Sequence, residues 1–478
     1  MTSLFAAVNQ EQTVTENGMA TLTSSLNANV DLFFKAGASR GKFTELAPNI
    51  SSALAEDTDT AVRILLWMRD VRQGAGERQL FRDAIGLLFQ SGSINKEQGD
   101  RIVIRVPELG RWDDLFAFIG TPSEDTALSL FAGAIRSGNG LAAKWAPRKG
   151  ANAARLRNAM GLTPRQYRKL IVGNTNVVET KMCAKKWDSI EFGKVPSLAA
   201  ARYQKAFWRN AKDEYTAYMT SLEKGEDKIN AGAVYPYDII KSVFNGNEQV
   251  ASEQWRALPD YMEGSETTGI LPVVDVSGSM SVPAGGSGMV TCMDVAASLG
   301  MYISERNRGI FCDQFVTFSQ SPKMIKLKGS LSQRVRQLKT SDWGMNTDLE
   351  AVFDLLLSSA RRNSVPESEM PDTILILSDM QFDQATGRID FYYRGLAKNN
   401  PTSFDMIAQR YERAGYKMPK LVYWNINSRN GVPVEFDKDG TALVSGFSPA
   451  IMKSVLSAKT FTPEEIMLDA VGGDRYQW

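Results

Sequence analysis

Oxygen-bearing side chains follow an apolar run at regular spacing in the second half of the chain. Asp275, Ser277 and Ser279 alternate in the stretch VVDVSGSMS, and Gly278 allows a tight backbone turn between the serines. Because side chains two residues apart share one side of an extended segment, this spacing directs three oxygens to one point. A carboxylate and two hydroxyls are hard oxygen ligands of the kind that Mg²⁺ prefers. The stretch therefore predicts part of a divalent-cation site.

Two further residues complete the predicted oxygen set. Thr347 precedes a helical stretch in MNTDLE, and Asp379 ends the apolar run TILILSD. Ligands of open parallel sheets lie beyond the carboxyl ends of the strands, where both Asp275 and Asp379 are expected. We expect Mg²⁺, or another divalent cation such as Mn²⁺ or Ca²⁺, to keep enough uncancelled charge for an outside acid or phosphate oxygen. The alternative is that the hydroxyls cap helices and Asp275 is a turn residue.

The residue types that the chain lacks exclude most familiar catalysis. It contains no histidine, which removes histidine-activated nucleophiles and the usual catalytic zinc shells. No G-x-x-x-x-G-K-[ST] loop occurs, and Ser277 stands where an Asp-x-Asp nucleophile pair needs its second acid. The sequence therefore favours a protein that is not an enzyme. A metal-dependent hydrolase, in which Asp379 orients water, is the remaining catalytic alternative.

Length and composition indicate a cytoplasmic protein of two or three domains. The chain has 478 residues, of which 43% are hydrophobic and 23% charged. No apolar run reaches the roughly 18 residues of a membrane span, and the N-terminus lacks a secretory signal pattern. Cys183, Cys292 and Cys312 form neither a disulfide framework nor a zinc clip, which fits a reducing compartment.

The two halves of the chain differ in hydrophobic pattern. Apolar residues recur at helical spacing in Thr60–Arg69, Arg78–Leu88 and Leu198–Leu222, which predicts an all-α domain of HEAT-like stacked helix pairs. Beyond about residue 247, apolar runs such as TILILSD and KLVYWNIN alternate with amphipathic stretches, which predicts a doubly wound parallel sheet covered by helices. The predicted divisions are an N-terminal extension over 1–30, a helical domain over 31–250 and an α/β domain over 265–478.

Positive charge is concentrated within the helical half. The net charge is only +1, but residues 136–212 contain 17 Lys and Arg against 3 Asp and Glu. Such a segment attracts phosphates, and the aromatic residues within it offer faces for base stacking, worth ~1–3 kcal/mol per base. The alternatives are a solvated basic face and aromatic side chains that belong to the core. The candidate RNA-binding residues are Lys144, Arg148, Lys149, Arg168, Lys169, Lys185, Lys186, Trp187 and Arg209.

The oxygen set resembles the metal-ion-dependent adhesion site of von Willebrand factor A domains. The motif D-V-S-G-S, then a threonine and then an aspartate after a strand, carries the resemblance. It implies a von Willebrand factor A domain over 265–478. The implied cation ligands are Asp275, Ser277, Ser279, Thr347 and Asp379. The insertion PAGGSGMVT over 283–291 would be a mobile flap beside the ion or a plain loop.

The helical half resembles the Ro/TROVE ribonucleoprotein family. The phrases WMRDVRQGAGER, GRWDDL, AKWAPRKG and GEDKINAGAVYPYDII carry this resemblance, and the order of the two parts also matches. KLVYWNIN and LVSGFSPAIMKSVL are similar to a branch that combines a helical TROVE-like domain with a von Willebrand factor A domain. In Ro proteins the helical part binds small structured RNAs and single-stranded RNA ends. The resemblance implies the same class of partner here.

Two classes of function fit these features. The first is a non-enzymatic, Ro-like RNA-binding protein whose cation recruits a protein partner that supplies an acidic residue. The second is a Mg²⁺-dependent protein–protein interaction scaffold that binds no RNA. Neither class requires a membrane.

Overall fold

The structure is a computed structural model that describes residues 12–264, 269–284, 290–318, 322–340, 348–383, 403–429 and 431–478. These residues fall into two compact units. The first, called the sheet unit, contains the described residues within 12–64, 235–237 and 260–475. The second, called the helical unit, contains residues 65–234, 238–259 and 476–478.

The helices of the first half confirm the predicted α-helical character of that region. In chain order they are α1 (Ala28–Ala36), α2 (Phe43–Glu56), α3 (Thr58–Arg69), α4 (Gln79–Gln90), α5 (Lys96–Leu109), α6 (Glu124–Arg136), α7 (Gly140–Trp145), α8 (Ala151–Ala159), α9 (Pro164–Asn174), α10 (Val178–Cys183), α11 (Ser197–Asn210), α12 (Lys212–Lys224), α13 (Pro236–Phe244) and α14 (Glu248–Arg256). Their arrangement as HEAT-like repeats stays a prediction.

The second half alternates strands with helices. The strands of the chain are β1 (Gln12–Val14), β2 (Ala20–Leu22), β3 (Ile270–Asp275), β4 (Gln314–Phe318), β5 (Lys323–Lys326), β6 (Thr373–Ser378), β7 (Lys420–Asn425) and β8 (Thr441–Ser445). The helices of this half are α15 (Cys292–Arg306), α16 (Leu331–Thr340), α17 (Leu349–Asn363), α18 (Ser403–Ala414), α19 (Met452–Ser457) and α20 (Pro463–Val471).

The main sheet is mostly parallel, with the strand order β5-β4-β3-β6-β7-β8. Strands β3, β4, β6, β7 and β8 pair in parallel, whereas β5 pairs antiparallel to β4 at one edge. The sheet is thus mostly parallel, as predicted, with one antiparallel strand at that edge. The sequence does not predict β5, because Lys323–Lys326 is largely exposed and lacks the apolar run of the inner strands. Assignment of this sheet to the von Willebrand factor A family stays a prediction.

The strand order reverses between β3 and β6. From β3 the chain adds β4 and then β5 on one side, and it later adds β6, β7 and β8 on the other. Pairing of Val274 with Leu377 sets the register of the two central strands, so that Asp275 and Ser378 end them side by side. A crevice opens at such a reversal beyond the carboxyl ends of the strands. The fold thus provides a site at the position of the two predicted aspartates.

The helices on this sheet have the predicted apolar stripes. In α17, the residues Leu349, Val352, Phe353, Leu356 and Leu357 are all buried, as their spacing predicts. Asp348 begins this helix, since its carboxylate accepts a hydrogen bond from the backbone N–H of Ala351 at 2.9 Å.

Helix α15 approaches the central strand at a glycine. A Cβ at Gly300 would lie 2.5 Å from the Cγ2 of Val274, so only glycine lets the helix pack this closely on β3.

The first helix of the chain belongs to the sheet unit rather than to the helical unit. The Oγ of Ser445 on β8 accepts a hydrogen bond from the N–H of Gly37 at 3.0 Å and donates one to the carbonyl of Phe33 at 2.7 Å. The Nδ2 of Asn425 on β7 donates to the carbonyl of Phe34 at 3.1 Å. Because α1 buries its apolar side chains in the sheet unit, the compact units do not coincide with the divisions 31–250 and 265–478, which stay a prediction.

The helical unit has an aromatic core around the break between α11 and α12. The sequence predicts one helical stretch over Leu198–Leu222, but the chain bends at Ala211, which has φ −142° and ψ 49°. The bend lets Phe207 and Tyr215 meet in the same cluster, with ring centroids 5.4 Å apart. The burial of two apolar faces in one core favours this break over a continuous helix.

A buried ion-pair network lies in the phrases that resemble the Ro/TROVE family. The fully buried Asp114 accepts hydrogen bonds from the side chains of Arg69 at 2.6 and 2.8 Å and Arg82 at 2.7 Å. It also accepts one from the backbone N–H of Arg111 at 2.8 Å. A Cβ at Gly110 would lie 2.5 Å from the Oδ2 of Asp114, so glycine is required beside the pair. The role of this network is to hold the surrounding segments of the helical unit together.

None of the described helices has the length and hydropathy that crossing a bilayer demands.

Candidate metal centre and basic surface

Three of the predicted ligand oxygens form a chain across the ends of β3 and β6. The Oγ atoms of Ser277 and Ser279 are 3.0 Å apart, and the Oγ of Ser279 lies 3.3 Å from the Oδ1 of Asp379. Oxygens at neighbouring corners of an octahedron with metal bonds of ~2.1 Å are separated by about 3.0 Å. The spacing of these side chains therefore fits the hard-oxygen set that Mg²⁺ prefers.

Asp275 is fixed in the crevice by its own neighbours. Its side chain is fully buried, and its Oδ2 accepts a hydrogen bond from the hydroxyl of Ser378 at 2.5 Å. Its Oδ1 accepts one from the backbone N–H of Ser277 at 2.9 Å. Ser378 is absent from the predicted set, although the parallel register of β3 and β6 places it beside Asp275. Together these bonds orient the carboxylate towards the ends of the strands.

Burial disfavours the charged forms of both aspartates. It raises the pKa of Asp275, and the nearby charge of Asp379 raises it further. Burial likewise raises the pKa of Asp379, while the positive charge of Arg429 opposes that shift. A divalent cation between the two carboxylates would favour their ionised forms. Without a cation, the crevice therefore favours the neutral forms of these two carboxyls.

Arg429 supplies positive charge beside Asp379 and is not predicted from the sequence. Its Nε lies 3.4 Å from the Oδ2 of Asp379, a buried oxygen that accepts no hydrogen bond from any described residue. The guanidinium of Arg429 also pairs with Glu16, which precedes β2. Only the strand order could have pointed to Arg429, because this residue follows β7, the neighbour of β6 in the sheet. One oxygen of Asp379 thus remains without a hydrogen-bond donor beside the hydroxyl chain.

The N-terminal hairpin contacts the loop that follows Asp379. The hydroxyl of Thr15 donates to the carbonyl of Phe382 at 2.6 Å. The N–H of Glu16 donates to the Oε1 of Gln381 at 2.6 Å, and the Nδ2 of Asn17 donates to the Gln381 carbonyl at 2.8 Å. These bonds place the carboxylate of Glu16 at the rim of the crevice.

Other parts of the predicted site lie wholly or partly outside the described residues. Thr347 is one of them. Of the insertion over 283–291, the described ends pair, since the N–H of Ala284 donates to the carbonyl of Val290 at 2.7 Å. Within the described ranges, no three or more His, Cys, Asp or Glu side chains gather as a metal site would require. The candidate centre thus depends on hydroxyls beside two carboxylates.

The predicted RNA-binding residues differ in their surroundings. Lys144 is half-buried and pairs with Glu179 at 3.3 Å, and the ring of Trp187 packs against the aromatic core of the helical unit. Arg148, Lys149 and Arg168 line one cavity beside α8 and α9. The remaining candidates are exposed, namely Lys169, Lys185, Lys186 and Arg209.

Most of the exposed cations of this segment have no carboxylate partner within the described residues. Two of the three acids of the segment are already engaged, since Glu179 pairs with Lys144 and Glu191 pairs with Lys194. The third, Asp188, is exposed and forms no ion pair with a described residue. Arg155 pairs with Glu124, which lies outside the segment. The exposed cations over 148–212 that form no ion pair with a described residue are Arg148, Lys149, Arg165, Arg168, Lys169, Lys185, Lys186, Arg202, Lys205, Arg209 and Lys212.

Comparisons with known proteins match both halves of the chain. Residues 270–475 match the family model described as Domain of unknown function (DUF7788). Residues 15–92 and 147–267 match the one described as Domain of unknown function (DUF2828). "Uncharacterized protein L728" of Acanthamoeba polyphaga mimivirus is 29% identical over 513 residues, which cover 95% of this chain and 86% of that protein.

A solved structure is also similar over most of its length. It is titled "Crystal structure of Deinococcus radiodurans RO (RSR) protein", and it is 14% identical with a TM-score of 0.36, covering 93% of both chains. A TM-score at this level does not by itself establish a shared fold. The two family models divide the chain between them, and the likeness to the mimivirus protein runs through both parts.

Proposed function

We propose that this chain is a non-enzymatic RNA-binding protein that also holds a divalent cation, Mg²⁺ in the first place, with which it recruits a partner. The observation that carries the RNA-binding part is the set of exposed cations over 148–212 that form no ion pair with a described residue. Cations left unpaired on a protein surface are available to phosphates. The sequence resemblance to the Ro/TROVE family supports the same partner class.

The cation part of the proposal has its own support. Ser277, Ser279 and Asp379 present oxygens at the spacing of neighbouring octahedral ligands, and Asp275 lies buried at the end of the adjacent strand. Asp275, Ser277, Ser279 and Asp379 would hold the ion, with Thr347 as the further ligand that the resemblance implies. When bound, the ion supplies a coordination position for an acidic side chain of the partner.

Filter binding to a single-stranded and a structured RNA at several salt concentrations tests the RNA part. We expect log K to fall linearly with log salt, since each neutralised phosphate releases counterions. The absence of binding at about 100 mM salt, or binding that salt leaves unchanged, would reject RNA as the partner.

Electron paramagnetic resonance of Mn²⁺ tests the cation part separately. The wild-type chain is expected to bind Mn²⁺, and Mg²⁺ is expected to displace it. Asp379→Asn should abolish this binding, whereas Asp383→Asn, which changes an acid outside the oxygen set, should not. Equal binding by wild type and Asp379→Asn would contradict the proposed site.

Pull-downs with EDTA or with nuclease separate this function from the scaffold alternative. A partner lost with EDTA but retained after nuclease treatment, together with no RNA binding, would favour the scaffold. Cleavage of phosphodiester substrates in Mg²⁺ or Mn²⁺ would favour the hydrolase, and intact substrates support the non-enzymatic assignment.

A further inference from the structure

The helical unit contains a cavity of about 140 Å³ between α8 and α9. At about 30 Å³ per water molecule, this volume equals that of roughly five waters and admits a phosphate-sized group. Its basic lining comes from Arg148, Lys149, Arg157 and Arg168. The cavity therefore combines a small volume with four basic residues in its lining.

These four side chains lack compensating acids. Arg148, Lys149 and Arg168 are exposed and form no ion pair with a described residue, and Arg157 bonds only to the amide oxygen of Asn158, at 3.3 Å. No Asp or Glu lines the cavity. Like charges on neighbouring side chains repel each other, and an anion bound beside them relieves that repulsion.

Tyr167 forms a wall of the cavity rather than a free donor. Its hydroxyl already donates to the carbonyl of Pro147 at 3.0 Å, and its side chain is buried. Burial raises the pKa of Tyr167 to about 12, although Arg148 and Arg157 oppose this shift. Ala153, Ile171 and Val172 add apolar surface beside it. The lining thus offers cations for a charged group and apolar atoms for an organic group attached to it.

We infer that this cavity binds a phosphomonoester dianion. At equal distance each cation attracts a dianion twice as strongly as the monoanionic phosphodiester of a strand interior. The inference goes beyond the RNA-binding proposal, because a mononucleotide carries the same group without belonging to an RNA strand, and free phosphate is a dianion of the same charge. It also predicts selectivity between phosphate types, which a general basic surface does not have.

Calorimetric titration of the full chain tests the inference with four small probes. Adenosine 5′-monophosphate carries a monoester, adenylyl-adenosine a diester, adenosine no phosphate, and inorganic phosphate no organic group. We expect the monophosphate to bind at least about tenfold more tightly than the diester, and adenosine not to bind. Inorganic phosphate that binds as tightly as the monophosphate would identify phosphate itself as the ligand, and weaker binding would identify a nucleotide.

Two variants examine the cavity itself. Arg168→Gln should weaken monophosphate binding about tenfold, as expected for one charge-assisted contact. The matched control Arg165→Gln removes an exposed arginine from the same helix, outside the lining, and should change affinity less than about twofold. Ala154→Leu fills the cavity without changing its charge and should abolish binding.

Several outcomes would overturn the inference. They are equal affinity for the monoester and the diester, equal losses in Arg165→Gln and Arg168→Gln, and full binding by Ala154→Leu. A parallel titration with oligouridine bearing a 5′-hydroxyl keeps the two proposals apart. Oligouridine binding without monophosphate binding would reject only the cavity inference. Monophosphate binding without oligouridine binding would reject only the RNA-binding proposal.

Discussion

Asp114 is a carboxylate surrounded by arginines in the interior of the helical unit. It is fully buried and accepts hydrogen bonds from Arg69, Arg82 and the backbone of Arg111. Removal of one partner from a buried pair leaves an uncompensated charge in a medium of low polarity. The stability of the helical unit therefore depends on this side chain.

Asp114→Asn is expected to lower the free energy of unfolding by about 3–5 kcal/mol. The matched control is Asp113→Asn, whose partly exposed carboxylate pairs with Arg82 and Arg111, and whose loss should cost about 1 kcal/mol or less. Urea denaturation measures both. Similar losses in the two variants would show that burial does not set the strength of this network.

Arg429 provides a positive charge at the position where a cation would act. With its Nε 3.4 Å from the Oδ2 of Asp379, it would compete with the proposed metal ion for that carboxylate. Arg429→Gln should therefore raise Mn²⁺ affinity by about tenfold, or ~1.4 kcal/mol. Glu16→Gln should lower affinity, because the guanidinium released by Glu16 turns wholly to Asp379.

Titration of Mn²⁺ by electron paramagnetic resonance measures both changes. Affinities that move in the same direction in Arg429→Gln and Glu16→Gln would exclude competition by the guanidinium.

At the scale of elements, one hydroxyl of the sheet makes two of the hydrogen bonds that hold α1. The Oγ of Ser445 bonds both the N–H of Gly37 and the carbonyl of Phe33. Ser445→Ala removes the hydrogen bonds of the serine hydroxyl to these two buried backbone groups. Its loss should lower the free energy of unfolding by about 1–3 kcal/mol. Ser457→Ala, which removes an exposed hydroxyl bonded to Lys453 and Asp469, should cost no more than about 0.5 kcal/mol.

Thermal unfolding of these two serine variants measures the difference. If Ser445→Ala melts at the same temperature as Ser457→Ala, the hydroxyl contributes nothing to the attachment of α1.

The sequence predicts elements whose signals are local. The apolar runs that become β3, β6 and β7 are buried, and the order of strand and helix places Asp275 and Asp379 at one edge of the sheet. The break at Ala211 is not predicted, because two helices with aligned apolar spacing resemble one until their shared core is known. The contact of Ser445 with α1 is not predicted either, because it joins residues 408 positions apart and a local sequence pattern does not report such distant contacts.

At the scale of the whole molecule, the charge is nearly balanced but locally concentrated. The net charge is +1, so the proposed salt-dependent RNA binding would come from the basic segment over 136–212 rather than from a general positive field. Lys185 and Lys186 form an exposed pair within that segment. Arg361 and Arg362 form an exposed pair on α17 of the sheet unit.

Lys185→Gln combined with Lys186→Gln should reduce the slope of log K against log salt by about 1.4, or ~0.7 for each single-strand phosphate contact. Arg361→Gln combined with Arg362→Gln should leave the slope unchanged. Filter binding over a salt series measures both slopes. An equal reduction by the two double variants would mean that charge anywhere on the chain serves equally well.

The attachment of α1 to β8 also constrains how the protein is made. A ribosome that has just produced Gly37 must add a further 408 residues before Ser445 exists. At roughly 5–20 residues per second, the wait is about 20–80 s. During that time Leu32, Phe33 and Phe34, which are fully buried in the finished fold, have no native surface on β8 to cover them. The nascent chain is thus an expected client for chaperones that shield short apolar helices.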